Sequence, residues 1–317
     1  MNFGQRIRDA YSELCEKYDD PIWRRSRITQ HVVRPIHRVY PRDNNTTSVI
    51  EEDWDTLIIL DACRADLFEK TINLDRFDRY ERRVSAGSMT REWAQHNFAG
   101  RELGDTVYVS SNPYISTIAG DVFHELREVW RNKFDDEERT VLPDAVSEEA
   151  RHAHLDNPNK RLVIHYMQPH YPFIDRPDLR FQSWHPDEIV DGDAGGERPH
   201  DPWQALAMGL VDRQTVWEAY ADNLKRGVNE VFTFAATLNG KTIVTSDHGN
   251  MLGERAYPVP IRLYGHPEGI RHPALTEIPW AVINSGKRRD ITAEEIKHTD
   301  AIDSRVVKSR LQDLGYV

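Results

Sequence analysis

The chain has 317 residues, of which 39% are hydrophobic and 29% charged, and its formal net charge is −11. This composition fits one large α/β domain or two smaller ones, and the negative charge argues against nucleic-acid binding because a polyanion is repelled. Two cysteines exclude a disulfide framework. We find no signal-like N-terminal segment and no apolar run of about eighteen residues, so we expect a cytoplasmic protein.

Residues 1–50 differ from the rest and form a predicted basic, amphipathic N-terminal arm. Residues 4–18 have the apolar spacing of an amphipathic helix, and residues 21–42 carry six arginines between apolar side chains. Such a segment can dock peripherally on an anionic membrane or on a partner, or it can wrap its own domain or that of a dimer mate. The sequence leaves membrane contact and a homodimer open as hypotheses.

Beyond residue 54, apolar runs alternate with helical patterns, which predicts a three-layer αβα sandwich around a mostly parallel sheet in residues 51–317. The predicted strands are Thr56–Leu60, Thr106–Ser110, Leu162–Tyr166, Thr242–Thr245 and Trp280–Ile283. The predicted helices lie near residues 88–98, 118–133, 144–155 and 214–238. Residues 171–213, with Trp184 and Trp203, interrupt this alternation, as a lid over a site does.

Two of the predicted strands end on side chains that bind metals. Asp61 follows Leu-Ile-Ile-Leu, and Asp247 and His248 follow Thr-Ile-Val-Thr-Ser. Because parallel strands share one carboxyl edge, we expect these three side chains to hold one divalent ion. Carboxylate with imidazole suits Zn²⁺ or Mn²⁺ better than Mg²⁺ or Ca²⁺, although these remain alternatives. A lone Asp61 would more simply be a helix cap or a turn residue.

A hydroxyl group comes at the start of the next predicted helix. Ser88 follows Gly87 in the segment Ser-Ala-Gly-Ser-Met-Thr-Arg-Glu-Trp. A helix N-terminus offers unpaired N–H groups and a positive dipole, and a metal there would turn Ser88 into both a metal ligand and a nucleophile. The alternative is an ordinary N-cap, since Ser followed by Glu is common at helix starts.

Four histidines are further candidates. His165 and His170 lie at the carboxyl end of the third predicted strand, and His266 and His272 follow the Asp-His-Gly segment. Imidazoles at such an edge can bind a phosphate oxygen or protonate a leaving group. The alternative is that they bond nearby carbonyl groups and have no catalytic role.

Together these segments resemble the alkaline phosphatase superfamily in its sulfatase-like branch, in the family's order over roughly residues 54–285. Asp-Ala-Cys-Arg-Ala-Asp at 61–66 looks like the first metal strand, and Ser-Asp-His-Gly at 246–249 looks like the second metal segment. The segment 165–172 is similar to the family's His-x-x-x-Pro-His-x-Pro. The resemblance implies that Asp61 binds metal and that His170 contacts the transferring group.

The chain departs from the sulfatase pattern at the nucleophile. Gly87 stands where sulfatases carry the residue that becomes formylglycine, so that group cannot form. The segment is more similar to lipoteichoic-acid-synthase-like members, which use a Thr nucleophile, and this alignment selects Ser88, with Thr90 as the second choice. No Asp-x-x-x-His is present, so we expect one ion rather than two.

The sequence therefore predicts a metal-dependent hydrolase or transferase of phosphate esters, acting on a diester through a phosphoseryl intermediate in cell-surface glycan or lipid metabolism. His170 would protonate the leaving oxygen, while Arg64, His165 and His266 or His272 would bind the phosphoryl oxygens. One alternative is a sulfuric-ester hydrolase without formylglycine. A second is a non-catalytic, sulfatase-like scaffold protein.

Overall fold

The computed structural model describes Cys15 and residues 17–39, 45–181, 199–296 and 304–314. Its twelve strands in this part of the chain are β1 Thr46–Thr47, β2 Thr56–Leu60, β3 Arg79–Ser85, β4 Leu103–Ser110, β5 Phe123–Glu128, β6 Phe134–Asp135, β7 Thr140–Val141, β8 Arg161–Tyr166, β9 Gly240–Thr245, β10 Met251–Arg255, β11 Arg262–Gly265 and β12 Glu277–Ser285.

The helices of the described residues are α1 Pro21–Ile28, α2 Arg34–Val39, α3 Ala65–Thr71, α4 Thr90–Phe98, α5 Pro113–Ala119, α6 Val129–Asn132, α7 Pro143–Asp156, α8 Pro202–Met208, α9 Arg213–Ala235, α10 Pro273–Thr276 and α11 Ser304–Asp313. A π-helical segment, Thr29–Val33, joins α1 to α2, and short 3-10 turns lie at Val49–Glu51, Leu74–Arg76 and Pro177–Leu179. None of the described helices is both long and apolar enough to cross a membrane.

Eight strands form one mixed sheet in the order β1-β3-β12-β9-β2-β8-β4-β5. Five neighbouring strands of this sheet are parallel to one another, namely β9, β2, β8, β4 and β5. Strand β12 runs antiparallel to both of its neighbours, β3 and β9. Two small antiparallel pairs, β10 with β11 and β6 with β7, lie outside this sheet. The predicted mostly parallel sheet is therefore correct for the part that carries the metal-binding strand ends.

The central strand β2 is buried on both faces, and its side chains alternate between two cores. Ile58 and Leu60 join the core that contains α7 and α9, while Leu57 and Ile59 join the core that contains Trp93 of α4. Helices thus cover both faces of the sheet, as a continuous apolar strand requires. The predicted three-layer αβα sandwich is confirmed.

Some predicted elements differ from the structure. The helix predicted near 118–133 is instead the edge strand β5 between the short helices α5 and α6, and the polar strand β3 was missed altogether. The segment 171–213 is described over 171–181 and 199–213, whereas Trp184 lies outside the described residues. Trp203 is 4% exposed and packs its ring against Phe173 and Tyr220, so it anchors this segment to the core.

The N-terminal arm packs on its own domain over residues 21–39, while residues 4–14 lie outside the described part of the chain. Val33 is fully buried in a small core with Met251, Leu263 and Ile270. His37 Nδ1 accepts the backbone N–H of Arg271 at 2.9 Å, which adds a polar contact to the same surface. Of the alternatives for the arm, wrapping its own domain is the one these contacts support.

Candidate metal centre and active site

Three adjacent parallel strands bring the candidate site together. Strands β9, β2 and β8 lie side by side and end at the same edge of the sheet, where Asp247, Asp61 and His165 lie. Asp247 Oδ1 accepts the backbone N–H of Ala62 at 3.0 Å, which ties the two strand ends together. A Cβ added to Gly249 would lie 2.2 Å from the carbonyl oxygen of Ala274, so the close turn after the Asp-His pair requires glycine.

Four donor atoms surround one point at this edge. Thr90 Oγ1 lies 2.7 Å from Asp247 Oδ2 and 3.3 Å from His248 Nε2. His248 Nε2 lies 3.4 Å from Asp247 Oδ2 and 3.8 Å from Asp61 Oδ1. A tetrahedral Zn²⁺ site with ligand bonds of about 2.0–2.1 Å has ligand–ligand spacings of about 3.3–3.4 Å. Two of the four spacings match and the other two lie within about 0.7 Å, so Asp61, Thr90, Asp247 and His248 could close around such an ion with small shifts.

Electrostatics also favour a cation at this point. Asp61 and Asp247 are fully buried, and two carboxylates that face one point repel each other unless positive charge lies between them. Burial alone would raise the pKa of Asp61, but the hydrogen bond from His165 and the nearby imidazoles of His170 and His248 hold it below its usual range. Asp61 is therefore ionised and ready to bind a metal.

The two histidines nearest the carboxylates have different hydrogen bonds. Asp61, His165 and Asp247 offer ligand atoms within 4.8 Å of one another. His165, however, uses Nε2 on Asp61 Oδ2 at 3.1 Å and Nδ1 on the Tyr108 hydroxyl at 2.9 Å, so both ring nitrogens are occupied. His248 Nδ1 donates to the carbonyl oxygen of Gly249 at 2.8 Å, which leaves the lone pair on Nε2. These hydrogen bonds favour His248 over His165 as a ligand and give His165 the role of orienting Asp61.

Ser88, predicted as nucleophile and metal ligand, has its hydrogen bonds elsewhere. Its hydroxyl donates to Glu92 Oε2 at 2.7 Å and accepts the backbone N–H of Gly269 at 2.9 Å. The structure therefore does not bring Ser88 to the two carboxylates. Ser88 instead fixes the start of α4 to the loop at residues 267–269.

Thr90, the second choice from the sequence, is the hydroxyl that reaches the donor set. It is the first residue of α4 and is fully buried. Gly87 permits this placement, because a Cβ there would lie 2.5 Å from the backbone nitrogen of Trp93. The unpaired N–H groups and the positive dipole of the helix N-terminus favour negative charge at Thr90 Oγ1 and on a bound anion.

Asn112 is a site residue that the sequence reasoning missed. It follows β4, whose end lies at the same edge of the sheet, and its Nδ2 donates to Asp61 Oδ2 at 2.6 Å and to Thr90 Oγ1 at 3.4 Å. Its Oδ1 accepts the backbone N–H of Tyr114 at 2.9 Å, which caps α5 and fixes the orientation of the amide. The signal for Asn112 is a polar residue just beyond the apolar run of β4, the same signal that marks Asp61 and Asp247.

Two further imidazoles adjoin the donor set. The His266 ring lies 5.1 Å from that of His170 and 5.0 Å from that of His248, measured between centroids. Burial lowers the pKa of His170 and lowers that of His266 further, so both are neutral near pH 7. His170 Nδ1 donates to the carbonyl oxygen of Tyr171, while His266 Nδ1 contacts Asn250 Oδ1 at 2.9 Å.

Two other predicted residues lie elsewhere. Arg64 bonds Asp66 through two nitrogens at 2.8 and 2.9 Å and Glu254 through a third at 2.7 Å, so its guanidinium is engaged by carboxylates. His272 caps α10 by accepting the backbone N–H of Ala274 at 3.0 Å. Arg64 has the spacing of the family's motif, but the side chains of Arg64 and His272 hold the surrounding loops.

Comparisons with known proteins give fold matches only, since no family model and no curated protein matches the sequence. The integral membrane protein lipooligosaccharide phosphoethanolamine transferase A (EptA) from Neisseria meningitidis matches with a TM-score of 0.50 and 12% identity, over 89% of this chain and 59% of that chain. The chain therefore spans less than two thirds of EptA. At this identity the likeness shows a shared fold.

Two weaker matches follow. The C-terminal periplasmic domain of EcEptC from Escherichia coli, in complex with Zn, matches with a TM-score of 0.45 and 14% identity, over 77% of both chains. The phosphonate monoester hydrolase SpPMH from Silicibacter pomeroyi matches with a TM-score of 0.38 and 15% identity, over 82% of this chain and 72% of that chain. The predicted α/β fold is confirmed by the eight-stranded sheet with helices on both faces, and EptA shares this fold. The finer likeness to lipoteichoic-acid-synthase-like members is not supported by these matches.

Proposed function

We propose that this protein is a metal-dependent transferase or hydrolase of phosphate esters that forms a phosphothreonyl intermediate on Thr90. The observation that carries the proposal is the position of Thr90 Oγ1, 2.7 Å from Asp247 Oδ2 and 3.3 Å from His248 Nε2 at the start of a helix. A hydroxyl so placed combines a nucleophile with an anion-binding helix end.

Asp61, Thr90, Asp247 and His248 would hold one divalent ion, and Zn²⁺ or Mn²⁺ suits this oxygen-rich set with one imidazole. When bound, the ion would supply positive charge that lowers the pKa of the Thr90 hydroxyl and offsets charge on the phosphoryl group. Among the described residues, one group of acidic and imidazole side chains has ligand spacing, Asp61, His165 and Asp247, and it shares both carboxylates with this set.

The remaining catalytic roles, which are attack, proton transfer and charge stabilisation, belong to side chains and backbone groups of the chain. Thr90 Oγ1 would attack phosphorus while the bond from phosphorus to the departing ester oxygen breaks. Thr90 would release its proton to water, and His170 would pass a proton from water to the departing oxygen, so protons balance. Asn112 Nδ2 and the first N–H groups of α4 would stabilise the non-bridging oxygens. Water or an acceptor alcohol would then attack the phosphothreonine and release Thr90.

A phosphodiester is the proposed substrate class, because with one ion there is no second metal to clamp the leaving oxygen. EptA is by its name a phosphoethanolamine transferase. This fold-level analogy supports transfer to an acceptor as well as hydrolysis. The link to cell-surface glycan or lipid metabolism rests on the same analogy and belongs to the proposal.

The experiment that tests this function compares turnover of bis(p-nitrophenyl) phosphate and p-nitrophenyl sulfate before and after removal of metal. We expect diester turnover that EDTA abolishes and Zn²⁺ or Mn²⁺ restores, with the sulfate at least about 10²-fold slower. Preference for the sulfate would support the sulfuric-ester hydrolase instead. Absence of turnover together with absence of bound metal would support the scaffold protein.

We also propose that the arm contacts the surface of an anionic membrane. This proposal holds whether the protein lies in the cytoplasm or in another compartment. Ile28, Val32 and Val39 on the arm are 41%, 44% and 83% exposed, and Arg38 is exposed beside them. Apolar side chains next to a basic one suit an anionic lipid surface. We expect the protein to co-sediment with anionic but not zwitterionic vesicles, and we expect Val39→Asp to lose this binding. Equal binding to both kinds of vesicle would contradict the proposal.

A further inference from the structure

A cavity of about 430 Å³ lies between the N-terminal arm and the candidate active site. His266 lines this cavity, and its ring is 5.0 Å from that of His248, the proposed ligand, and 5.1 Å from that of His170. The cavity therefore begins where the reacting group would sit and extends outward. A substrate larger than its phosphoryl group can place its remaining part there.

One wall of the cavity is a single face of the arm. Ile22, Arg25, Ser26, Thr29 and Gln30 line it at the three- and four-residue spacing of a helix. The opposite wall is built by residues of α8 and β11, with the rings of Trp203 and Tyr264. The arm thus forms part of the cavity wall and is not only a surface appendage.

The charged side chains that line this cavity differ in whether a partner group is bound to them. Arg34 is paired with Glu268 at 2.5 Å, and Asp201 caps α8 by accepting the backbone N–H of Gln204 at 2.7 Å. Arg25 forms no ion pair with a carboxylate of the described residues, and its guanidinium lies 4.8 Å from the centroid of the Tyr264 ring. A cation held over a ring but not neutralised is suited to bind an incoming anion.

We propose that this cavity binds the non-reacting part of the substrate and that Arg25 pairs there with a second anionic group, such as a carboxylate or a second phosphate. The inference rests on the proposed function, since it takes the reacting phosphodiester to lie at Thr90. It narrows the substrate class to diesters in which one alcohol carries a negative charge and a short apolar or polar stem.

The test uses p-nitrophenyl phosphodiesters whose second ester is a carboxyalkyl, a carbamoylalkyl or an aminoalkyl group, in a series of chain lengths. We expect the best carboxyalkyl ester to exceed its neutral carbamoyl partner by about tenfold in kcat/KM, through KM, as one charge-assisted hydrogen bond provides. Arg25→Gln should remove this preference, and Arg25→Lys should keep part of it.

Arg24→Gln is the matched control, because it removes the same charge from the neighbouring, exposed position that does not line the cavity. It should keep the tenfold preference. The proposal is overturned if no carboxyalkyl ester is preferred at any length, if Arg25→Gln keeps the preference, or if the aminoalkyl ester is best, which would assign the cavity to Asp201 and Glu268.

Binding separates this proposal from the proposed function. Analogues in which CH₂ groups replace both ester oxygens have no ester bond to cleave, and their Kd can be measured by titration calorimetry. Suppose the protein turns over no diester, yet binds the carboxyalkyl analogue more tightly than the neutral one and loses this difference in Arg25→Gln. That result would keep the cavity assignment and reject the catalytic one. Equal Kd values for the charged and neutral analogues would reject the cavity assignment.

Discussion

At the scale of single residues, the site depends on which of two neighbouring hydroxyls faces the carboxylates. Ser88 and Thr90 both lie at the start of α4, and the sequence favoured Ser88 by alignment. Thr90 contacts Asp247 Oδ2 and His248 Nε2, whereas Ser88 bonds Glu92 and the loop at residues 267–269. The two side chains therefore have separable roles, one chemical and one structural.

Substitution of the two hydroxyls tests this separation. Thr90→Ala should lower kcat for a diester by about 10³-fold or more, because it removes the nucleophile, while Thr90→Ser should retain measurable turnover. Ser88→Ala should leave most of kcat but lower the free energy of unfolding by roughly 1–3 kcal/mol, since it breaks buried hydrogen bonds. Steady-state kinetics and urea unfolding give both quantities. The reverse pattern, with Ser88→Ala inactive and Thr90→Ala active, would restore Ser88 as the nucleophile.

Asn112 provides a second test at this scale. Asn112→Asp places a carboxylate 2.6 Å from Asp61 Oδ2, where the amide now donates a hydrogen bond. We expect like-charge repulsion and the lost hydrogen bond to lower kcat by about 10²-fold and to change the affinity for the divalent ion. Kinetics and metal titration measure the two effects. Activity equal to that of the unsubstituted protein would remove Asn112 from the site.

At the scale of elements, the close packing of the turn before α4 decides where Thr90 lies. A Cβ on Gly87 would lie 2.5 Å from the Trp93 nitrogen, so Gly87→Ala must displace the helix start. We expect a loss of about 1–3 kcal/mol in the free energy of unfolding together with a lower kcat. Gly100→Ala is the control: its φ is +72° but its Cβ meets nothing within 4 Å, so it should reduce stability through backbone strain and leave kcat unchanged. Equal effects on kcat from both would contradict this account.

The sequence predicts the strands that carry the metal ligands because each is a short apolar run that ends on acidic or imidazole side chains. Strand Thr56–Leu60 was predicted with its observed bounds, and the strand before Asp247 within two residues at its start. Strand β5 was mistaken for helix because its apolar residues Phe123 and Leu126 are three positions apart, as on one face of a helix. Strand β3 was missed because ion pairs such as Arg83 with Glu81 occupy its polar side chains.

The parts of the site that the sequence did not reveal depend on packing between distant segments. Asn112 is brought to Asp61 only by the order of β4, β8 and β2 in the sheet. Arg64 matches the family spacing, yet Asp66 and Glu254 hold its guanidinium. Spacing along the chain cannot show such contacts, because they arise from the neighbours that the fold supplies.

At the scale of the whole molecule, the central strands meet at two buried carboxylates, so metal binding and stability should be linked. Removal of the ion leaves Asp61 and Asp247 to repel each other in the interior. We expect EDTA to lower the Tm by several degrees and Zn²⁺ or Mn²⁺ to restore it, since an ion that binds only the folded state stabilises it by about 4 kcal/mol at a thousand times its Kd. Differential scanning calorimetry measures this shift. A Tm unaffected by chelation and by added metal would argue against a metal centre.

The most direct test of the central claim is mass spectrometry of the protein quenched in acid during turnover of a phosphodiester. The account predicts one phosphoryl adduct, mapped by peptide fragmentation to Thr90 and absent from Thr90→Ala. An adduct on Ser88, or turnover of the diester without any covalent adduct, would contradict it.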